Sequence, residues 1–314
     1  MEELKYVLHM ALAWPSPRVY TTSNPSHQIQ FLPGQWLDVY VPTIPQVGGF
    51  TITSPPSKAL PSNPNNNGYA YLELAIQKSP LNPPAAWLWK PPPAILHSPL
   101  HIRVGGTFVF PPFPPNDKSK PLKKVIFIAG GVGINPLMSM LSSLAELSTQ
   151  DIKNDIQVHF LYSSKDPDPN GPLHEKSTKI LFLDRIVQLF SPQSQKISPV
   201  DSGGSNNITG KVKLFLTGTP NTTNSQDVAD ENESNKALLP HLSCLEGRVH
   251  IPYHKRRIGK EDVASALSQD QKDSAVYVCG VPTMTDEFVK LLTSSEESGG
   301  LGMDADRVLF EKWW

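Results

Sequence analysis

The sequence predicts two domains: an N-terminal antiparallel β-barrel over residues 1–113 and a C-terminal α/β domain with a doubly wound parallel sheet over residues 121–314. Three observations lead there. Up to about residue 110 the apolar runs are short, alternate with polar residues and are bounded by Pro, Gly and Asn, as antiparallel strands are. From residue 124 onward, continuous apolar runs alternate with segments of helical periodicity, the pattern of βαβ units. Between the two lies "PPFPPNDKSKPLK", a proline-rich joint of the kind that separates domains.

In the first domain "QWLDVYV", "GFTITS", "YAYLELAIQ" and "HIRVGGTFVF" read as strands, and "PPAAWLWK" as one short helix. In the second, "KVIFIAG" is a buried strand. "PLMSMLSSLAEL" is a helix with Leu137, Met140, Leu141, Leu144 and Leu147 on one stripe. "IQVHFLYSS" is the next strand and "EKSTKILFLDRIVQLF" a single helix. "KVKLFLTG", "EDVASALSQ", "SAVYVCG", "TMTDEFVKLL" and "DRVLFE" continue the alternation of strand and helix to the end. Two polar stretches without apolar periodicity, near 191–210 and 219–236, read as loop insertions.

Composition limits the function classes. Of 314 residues 39% are hydrophobic and 18% charged, and the formal net charge is −1, so no basic face is available for nucleic acid. Two cysteines, Cys244 and Cys279, are too few for a disulfide framework or a four-cysteine cluster, and suit a reducing compartment. No apolar run reaches the roughly 18 residues of a membrane span. The opening "MEELKYVLHMALAWPSP" lacks the pattern of a signal or transit peptide, so an intracellular location, cytoplasmic or mitochondrial, is expected. The first barrel strand looks cut short at Met1. A monomer is expected.

The stretch "KVIFIAGGVGINPLMSML" carries the first candidate chemistry. A buried strand stops at Gly130, Gly131, Val132 and Gly133, where glycines permit a tight turn and close approach of a phosphate to backbone N–H groups. Asn135 is suited to cap the next helix and Pro136 to open it, and the helix end would favour an anion. A ligand-free βα turn would use the same residues. "VYVCGVPTMTDEF" repeats the arrangement, with Cys279 and Gly280 at the carboxyl end of a strand, where open α/β sheets bind ligands. His241, Cys244, His250 and His254 lie close in sequence, but "GRVHIPY" reads as a strand and Pro252 excludes a regular helix, so no metal site is expected. The chain ends "RVLFEKWW", and Phe310, Trp313 and Trp314 should be covered, since an exposed aromatic end invites association.

Taken together, these words resemble the ferredoxin–NADP reductase superfamily. "FLPGQWLDVYVP" is similar to its F-x-P-G-Q strand, "GGFTITS" to its Arg-x-Tyr-Ser/Thr flavin motif, and "VGGTFVF" to the closing turn of its barrel. "IAGGVGINP" is similar to its nicotinamide dinucleotide loop, "CGVPTM" to its Cys-Gly-x-x-x-Met segment, and "FEKWW" to its acidic and aromatic terminus. A narrower set, "QWLDVYVP", "VGGFTITSPP", "PPAAWLW", "AGGVGINPL" and "FEKWW", points to one group within it.

The resemblance implies a flavin-binding barrel and an NAD(P)-binding α/β domain. It implies Thr51 near flavin N5, Cys279 beside nicotinamide C4 and Glu311 polarising the site. Phe50 would line the flavin, with Thr53 and Ser54 offering hydroxyls and N–H groups. Trp313, or its rival Trp314, would cover the ring at the domain interface. The nucleotide would lie on Gly130, Gly131, Val132, Gly133, Asn135, Pro136 and Gly280. Two positions depart from the pattern. Gly48 stands where the family has its phosphate-pairing Arg, and "NPPAAWL" puts Asn82 and Ala85 at the Gly and Ser of a second phosphate anchor. The backbone of that helix end is expected still to take an anion, with Lys78 as an alternative charge.

The expected function is that of a flavin-dependent oxidoreductase taking hydride from NAD(P)H and passing electrons to a separate, unidentified acceptor. The cofactor is FAD, with FMN as an alternative. NADH is expected over NADPH, because "LFLTGTPNTTN" supplies hydroxyls but no cation for a 2′-phosphate. The alternative is a non-catalytic nucleotide-binding or interaction module that kept the reductase fold and lost flavin. A flavin-free dehydrogenase would need a catalytic His, Lys or Tyr-x-x-x-Lys, and none is placed for it.

Overall fold

The structure is a computed structural model that describes residues 5–11, 18–22, 29–60, 70–113, 122–147, 156–191, 208–218, 239–268 and 271–313. Most of the two polar insertions, the joint at 114–121, the chain start before Lys5 and Trp314 lie outside these residues. The described chain groups into two compact units. One holds the residues up to Pro111 together with Asn135–Leu144, and the other holds Pro112–Ile134 and the residues from Ala145 onward.

The first unit contains strands β1 (Lys5–Ala11), β2 (Arg18–Thr22), β3 (Trp36–Tyr40), β4 (Gly48–Thr51), β5 (Tyr71–Leu74) and β6 (Pro99–Gly105). Helices α1 (Pro83–Leu88) and α2 (Pro92–Ile95) lie between β5 and β6. The strands pair in the order β4-β3-β6-β1-β2-β5, antiparallel throughout. An isolated bridge between Ile52 and Leu74 relates the two edges. Alternation buries Leu37 and Val39 of β3 with Leu72 and Leu74 of β5, and Trp87 and Leu88 of α1 join them in one apolar core.

The second unit contains β7 (Lys124–Gly130), β8 (Gln157–Lys165), β9 (Gly210–Thr217), β10 (His241–Cys244), β11 (Val249–His254), β12 (Ser274–Gly280) and β13 (Val308–Lys312). Its helices are α4 (Leu173–Lys179), α5 (Leu183–Phe190), α6 (Lys260–Leu267) and α7 (Pro282–Thr293). Helix α3 (Ile134–Leu147) follows β7 and divides between the units as stated. The sheet order is β10-β11-β9-β8-β7-β12-β13. On one face Ile126, Ile128, Val276, Val278 and Val308 meet Val263 and Leu267 of α6 and Phe288 and Leu292 of α7. On the other, Phe127 lies 5.5 Å from Phe160 and 5.6 Å from Tyr277.

Two sequence expectations are corrected. The sheet is mixed, because β10 pairs antiparallel with β11 through a hairpin in which Leu245, Glu246 and Gly247 all take positive φ. "HLSC" follows a polar insertion and is too short to carry a periodicity of its own. The expected single helix over 175–190 is two helices, broken where Phe182 takes φ +59°. The run "ILFL" has four apolar residues in succession and cannot keep them on one helical stripe. The break lets Ile180, Phe182 and Leu183 all be buried.

The hairpin also positions the His/Cys residues. Its register sets His241 opposite Pro252 and Ser243 opposite His250, and His254 stacks on Phe215 at 4.9 Å. Burial and the nearby Asp184 push the Cys244 thiol up to about 12. Among the described residues no helix is long and apolar enough to cross a membrane.

Candidate functional site

In the second unit the geometry centres on the carboxyl ends of β7, β12 and β13. Strand β7 is apolar along most of its length and leaves its last ladder position at Gly130. The backbone then makes a 3₁₀ turn over Gly131–Gly133 that runs directly into α3. Gly131 has φ +55° and open space around its missing side chain, so its requirement is conformational. Gly133 is confined instead. A Cβ there would fall on the carbonyl of Cys279 and within 2.6 Å of the Gly280 nitrogen. Gly130 and Gly280 face one another beneath the Met284 thioether, where a side chain on either would collide with the sulfur. Gly131 and Val132 stay accessible, so the turn presents backbone outward while Gly133 anchors it to β12.

Asn135 does not cap α3. The helix already includes Ile134, and Asn135 sits in its first turn with Nδ2 donating to the Ala75 carbonyl at 2.9 Å, within the first unit. Its Oδ1 is buried without a hydrogen-bond partner among the described residues. Pro136 is the third helical residue rather than the first, still in the turn whose N–H groups lack intrahelical partners.

Strand β13 lies parallel to β12, with Cys279 beside Glu311 and Gly280 beside Lys312. The Trp313 backbone N–H donates to the Gly280 carbonyl at 3.0 Å, and its indole Nε1–H to Glu311 Oε2 at 2.9 Å. The indole is thereby latched to the carboxylate two residues before it. Burial raises the Glu311 carboxyl to about 6, against the opposing pull of the indole bond. Cys279 is fully buried, and burial, with Glu311 adding to it, holds its thiol well above the ordinary range. It stays a protonated, small apolar side chain at neutral pH. The expected covering of the terminal aromatics is not met at Phe310, which is 47% exposed on this edge strand.

The Glu311–Trp313 pair makes a pH prediction. The folded pKa lies above the ordinary 4.5, so this group's stabilising contribution is full below about 4.5 and is lost as pH rises through about 6. The fluorescence difference between wild type and Trp313→Phe is expected to titrate with a midpoint near 6. Glu311→Gln should remove both that transition and its share of the fall in thermal stability. A flat difference spectrum between pH about 4.5 and 8 would rule out the coupling.

In the first unit, Thr51 is buried at the end of β4, paired in register with Trp36 of β3. Thr53 and Ser54 are also buried, and both are engaged by Glu73. Thr53 Oγ1 donates to the Glu73 carboxylate at 2.6 Å, and Ser54 Oγ accepts the Glu73 N–H at 3.1 Å. Ser54 O accepts from Ser139 Oγ at 2.8 Å. The backbone N–H of Thr53 goes to Glu73 O at 2.8 Å. Sequence reasoning missed Glu73; its signal was one acid on the otherwise apolar "YLEL" strand.

The expectation that the α1 end would take an anion through its backbone is overturned. Pro83 and Pro84 have no N–H, Asn82 Oδ1 accepts from Ala85 N at 3.2 Å, and the Ala86 N–H is bound to Asn82 O at 2.8 Å. Every early donor of this helix is absent or engaged. Gly48 is no more available, since a Cβ on it would stand 2.5 Å from the Phe50 ring and 2.8 Å from Pro84 Cβ. Lys78 is exposed, and Lys90 lies over the Trp87 ring at 5.7 Å. These residues do not fit a flavin phosphate.

Residues 122–293 match the ferric reductase NAD binding domain family. The chain is 32% identical over 289 residues to oxidoreductase NAD-binding domain-containing protein 1 of Bos taurus, covering 90% of this chain and 72% of that protein. Its fold is similar to the ferredoxin reductase in carbazole 1,9a-dioxygenase, with TM-score 0.56 and 15% identity over 100% of this chain and 70% of that one. It is similar as well to the flavohem-like FAD/NAD binding domain of nitric oxide dioxygenase from Vibrio cholerae, with TM-score 0.56 and 12% identity over 100% of this chain and 99% of that one. The chain belongs to the ferric reductase NAD binding domain family, in the group of oxidoreductase NAD-binding domain-containing protein 1.

Proposed function

We propose that the chain is an NAD(P)H-dependent oxidoreductase whose hydride acceptor is a flavin and whose electrons go on to a separate acceptor. The observation that carries this reading is the seating of the Gly131–Gly133 turn on the Cys279–Gly280 backbone, next to Glu311. A nicotinamide dinucleotide would lie on Gly130, Gly131, Val132, Gly133 and Gly280, with Asn135 and Pro136 opening the following helix. Outward-facing backbone at a strand end is what its phosphates require.

Cys279, protonated and apolar, packs beside the nicotinamide without competing as a nucleophile. Glu311 fixes the Trp313 indole and supplies charge that changes near pH 6. Trp313 excludes water from the reacting nicotinamide ring. In the first unit, Thr51 and Phe50 would line a flavin. Thr53 and Ser54 act through their bonds to Glu73, holding the strand that carries Thr51. A bound flavin would supply the hydride-accepting and electron-splitting chemistry. NADH is favoured over NADPH, because the sequence from Gly218 to Asn235 has no Lys or Arg and four acidic residues. Residues 1–113 and 121–314 are proposed as the two functional domains, working as a monomer.

The test is anaerobic oxidation of NADH and NADPH by the purified full chain, with FAD, FMN or neither added. Oxidation that depends on added flavin and is faster with NADH supports the reading. Nucleotide binding without oxidation under any condition would overturn it. That outcome would favour the second reading, a nucleotide-binding module without flavin, to which the occupied α1 end already points.

A further inference from the structure

We propose that the amino ends of β8 and β9, on the sheet face covered by α6, form a phosphate site in which Lys211 and Lys213 bond the oxygens and His159 donates a further N–H. The site lies within the second unit and involves neither flavin nor hydride transfer.

Strand register builds it. Ile126, Leu161 and Phe215 pack with Val263, Ala266 and Leu267 of α6. Alternate residues of a strand share a face, so Lys124, His159, Lys211 and Lys213 lie on that same side. His159 is in register with Ile126 on β7 and Lys211 on β9, and Leu161 with Lys213. Neighbouring strands are about 4.8 Å apart, so the imidazole and the two β9 lysines can converge on one tetrahedral anion. Strand β7 has 7 residues, about 20 Å at 3.3 Å each, which puts this cluster at the sheet edge opposite the Gly131–Gly133 turn.

The charges here are unbalanced. Asp262 of α6 is bonded by Arg256 at 2.6 and 3.1 Å and by the Gly259 N–H at 2.9 Å. Lys213 Nζ stands off from it at 3.6 Å. Asp273 is held by Lys123 at 2.6 Å. Lys124 is buried, with Nζ donating to the Leu267 carbonyl at 3.1 Å and to Ser268 Oγ at 2.7 Å. Lys124, Lys211, Lys213 and Arg256 therefore outnumber Asp262, and Lys211 is exposed. His159 Nε2 is buried with no hydrogen-bond partner among the described residues.

Burial, and then Lys124, Lys211 and Lys213, hold the His159 imidazole down at about 4. A dianion would reverse that field. Its oxygens accept charge-assisted bonds from both β9 lysines and from the ring, and a proton from solvent makes the ring an imidazolium. A phosphate suits this better than a carboxylate, because it brings a second charge and a third oxygen.

The experiment is an NMR titration of the full chain with labelled histidines, His159 being assigned by its absence in His159→Gln. The probes are inorganic phosphate and glycerol 3-phosphate, each with and without NADH. Saturating phosphate is expected to raise the His159 midpoint from about 4 to about 6. Lys211→Gln with Lys213→Gln should weaken phosphate binding by about 30-fold or more and remove that shift. NADH affinity should stay within about 2-fold, since the turn lies at the other edge. Glycerol 3-phosphate binding about 10-fold tighter than phosphate would uphold the site and assign it to a phosphate ester. Equal or weaker binding of the ester would uphold it as a site for free phosphate. A His159 midpoint unmoved by phosphate on the order of 50 mM would overturn the proposal. So would unchanged affinity in the double lysine variant, or loss of NADH binding in phosphate, which would put the anion on the glycine turn.

Discussion

Gly133→Ala is expected to cost about 3 kcal/mol of stability and to abolish binding of NADH. The added methyl would land on the Cys279 carbonyl and against the Gly280 nitrogen. Both are backbone atoms in an interior, fully buried strand, paired on one side with β7 and on the other with β13. Neither neighbour can turn aside as a flexible side chain would. Relief requires the turn to lift away from β12, which moves the outward-facing Gly131 and Val132. At about 2–4 °C per kcal/mol, the melting temperature should fall by roughly 6–12 °C. Gly131→Ala provides the contrast. It meets nothing within 4 Å, so its cost is only that of φ +55°, about 1–2 kcal/mol. If calorimetry finds the two substitutions equal, the close approach to β12 is not what selects glycine at 133.

Lys176→Ala should be the most destabilising change away from the site, at about 3–5 kcal/mol. Lys176 Nζ lies 2.8 Å from Asp166 Oδ2, and the two side chains are 4% and 1% exposed. Asp166 Oδ1 also accepts the Asp168 N–H at 3.1 Å, which ties the end of β8 to the turn before α4. Removing the ammonium leaves a carboxylate with no opposite charge in a dry place. The double change Asp166→Asn with Lys176→Met removes both charges and should recover more than half of the loss. Thermal denaturation of the three proteins checks this. A double variant no more stable than Lys176→Ala would show that the packing of the lysine stem, and not the stranded charge, sets the cost.

Much of the second unit was legible because its signals are local. Continuous apolar runs marked β7, β9 and β12, and the glycines of 130–133 marked a turn whose requirement is backbone conformation. The break at Phe182 was not legible, since "KILFLDRIVQLF" is compatible with a helix until the surrounding core takes Ile180, Phe182 and Leu183 together. The hairpin strand β10 was not legible because four residues carry no period. At the candidate site, the residue types at Cys279, Glu311 and Trp313 could be read from motif words. The bond from the indole to the carboxylate could not, nor could the burial that lifts that carboxyl to about 6.

The sequence by itself determined the division into strand-rich and alternating halves, the glycine turn and the loss of Arg and Ser at the positions of Gly48 and Ala85. Each follows from residue type and short-range spacing, which fix φ preferences and which side chains exist at all. Only the tertiary structure decided what those losses mean. "NPPAAWL" looks like a helix start able to receive an anion, until Asn82 folds back on the Ala85 N–H and Phe50 and Pro84 close over Gly48. Whether a donor is free is a property of everything packed around it, and β4 and α1 meet only after the chain between them has folded.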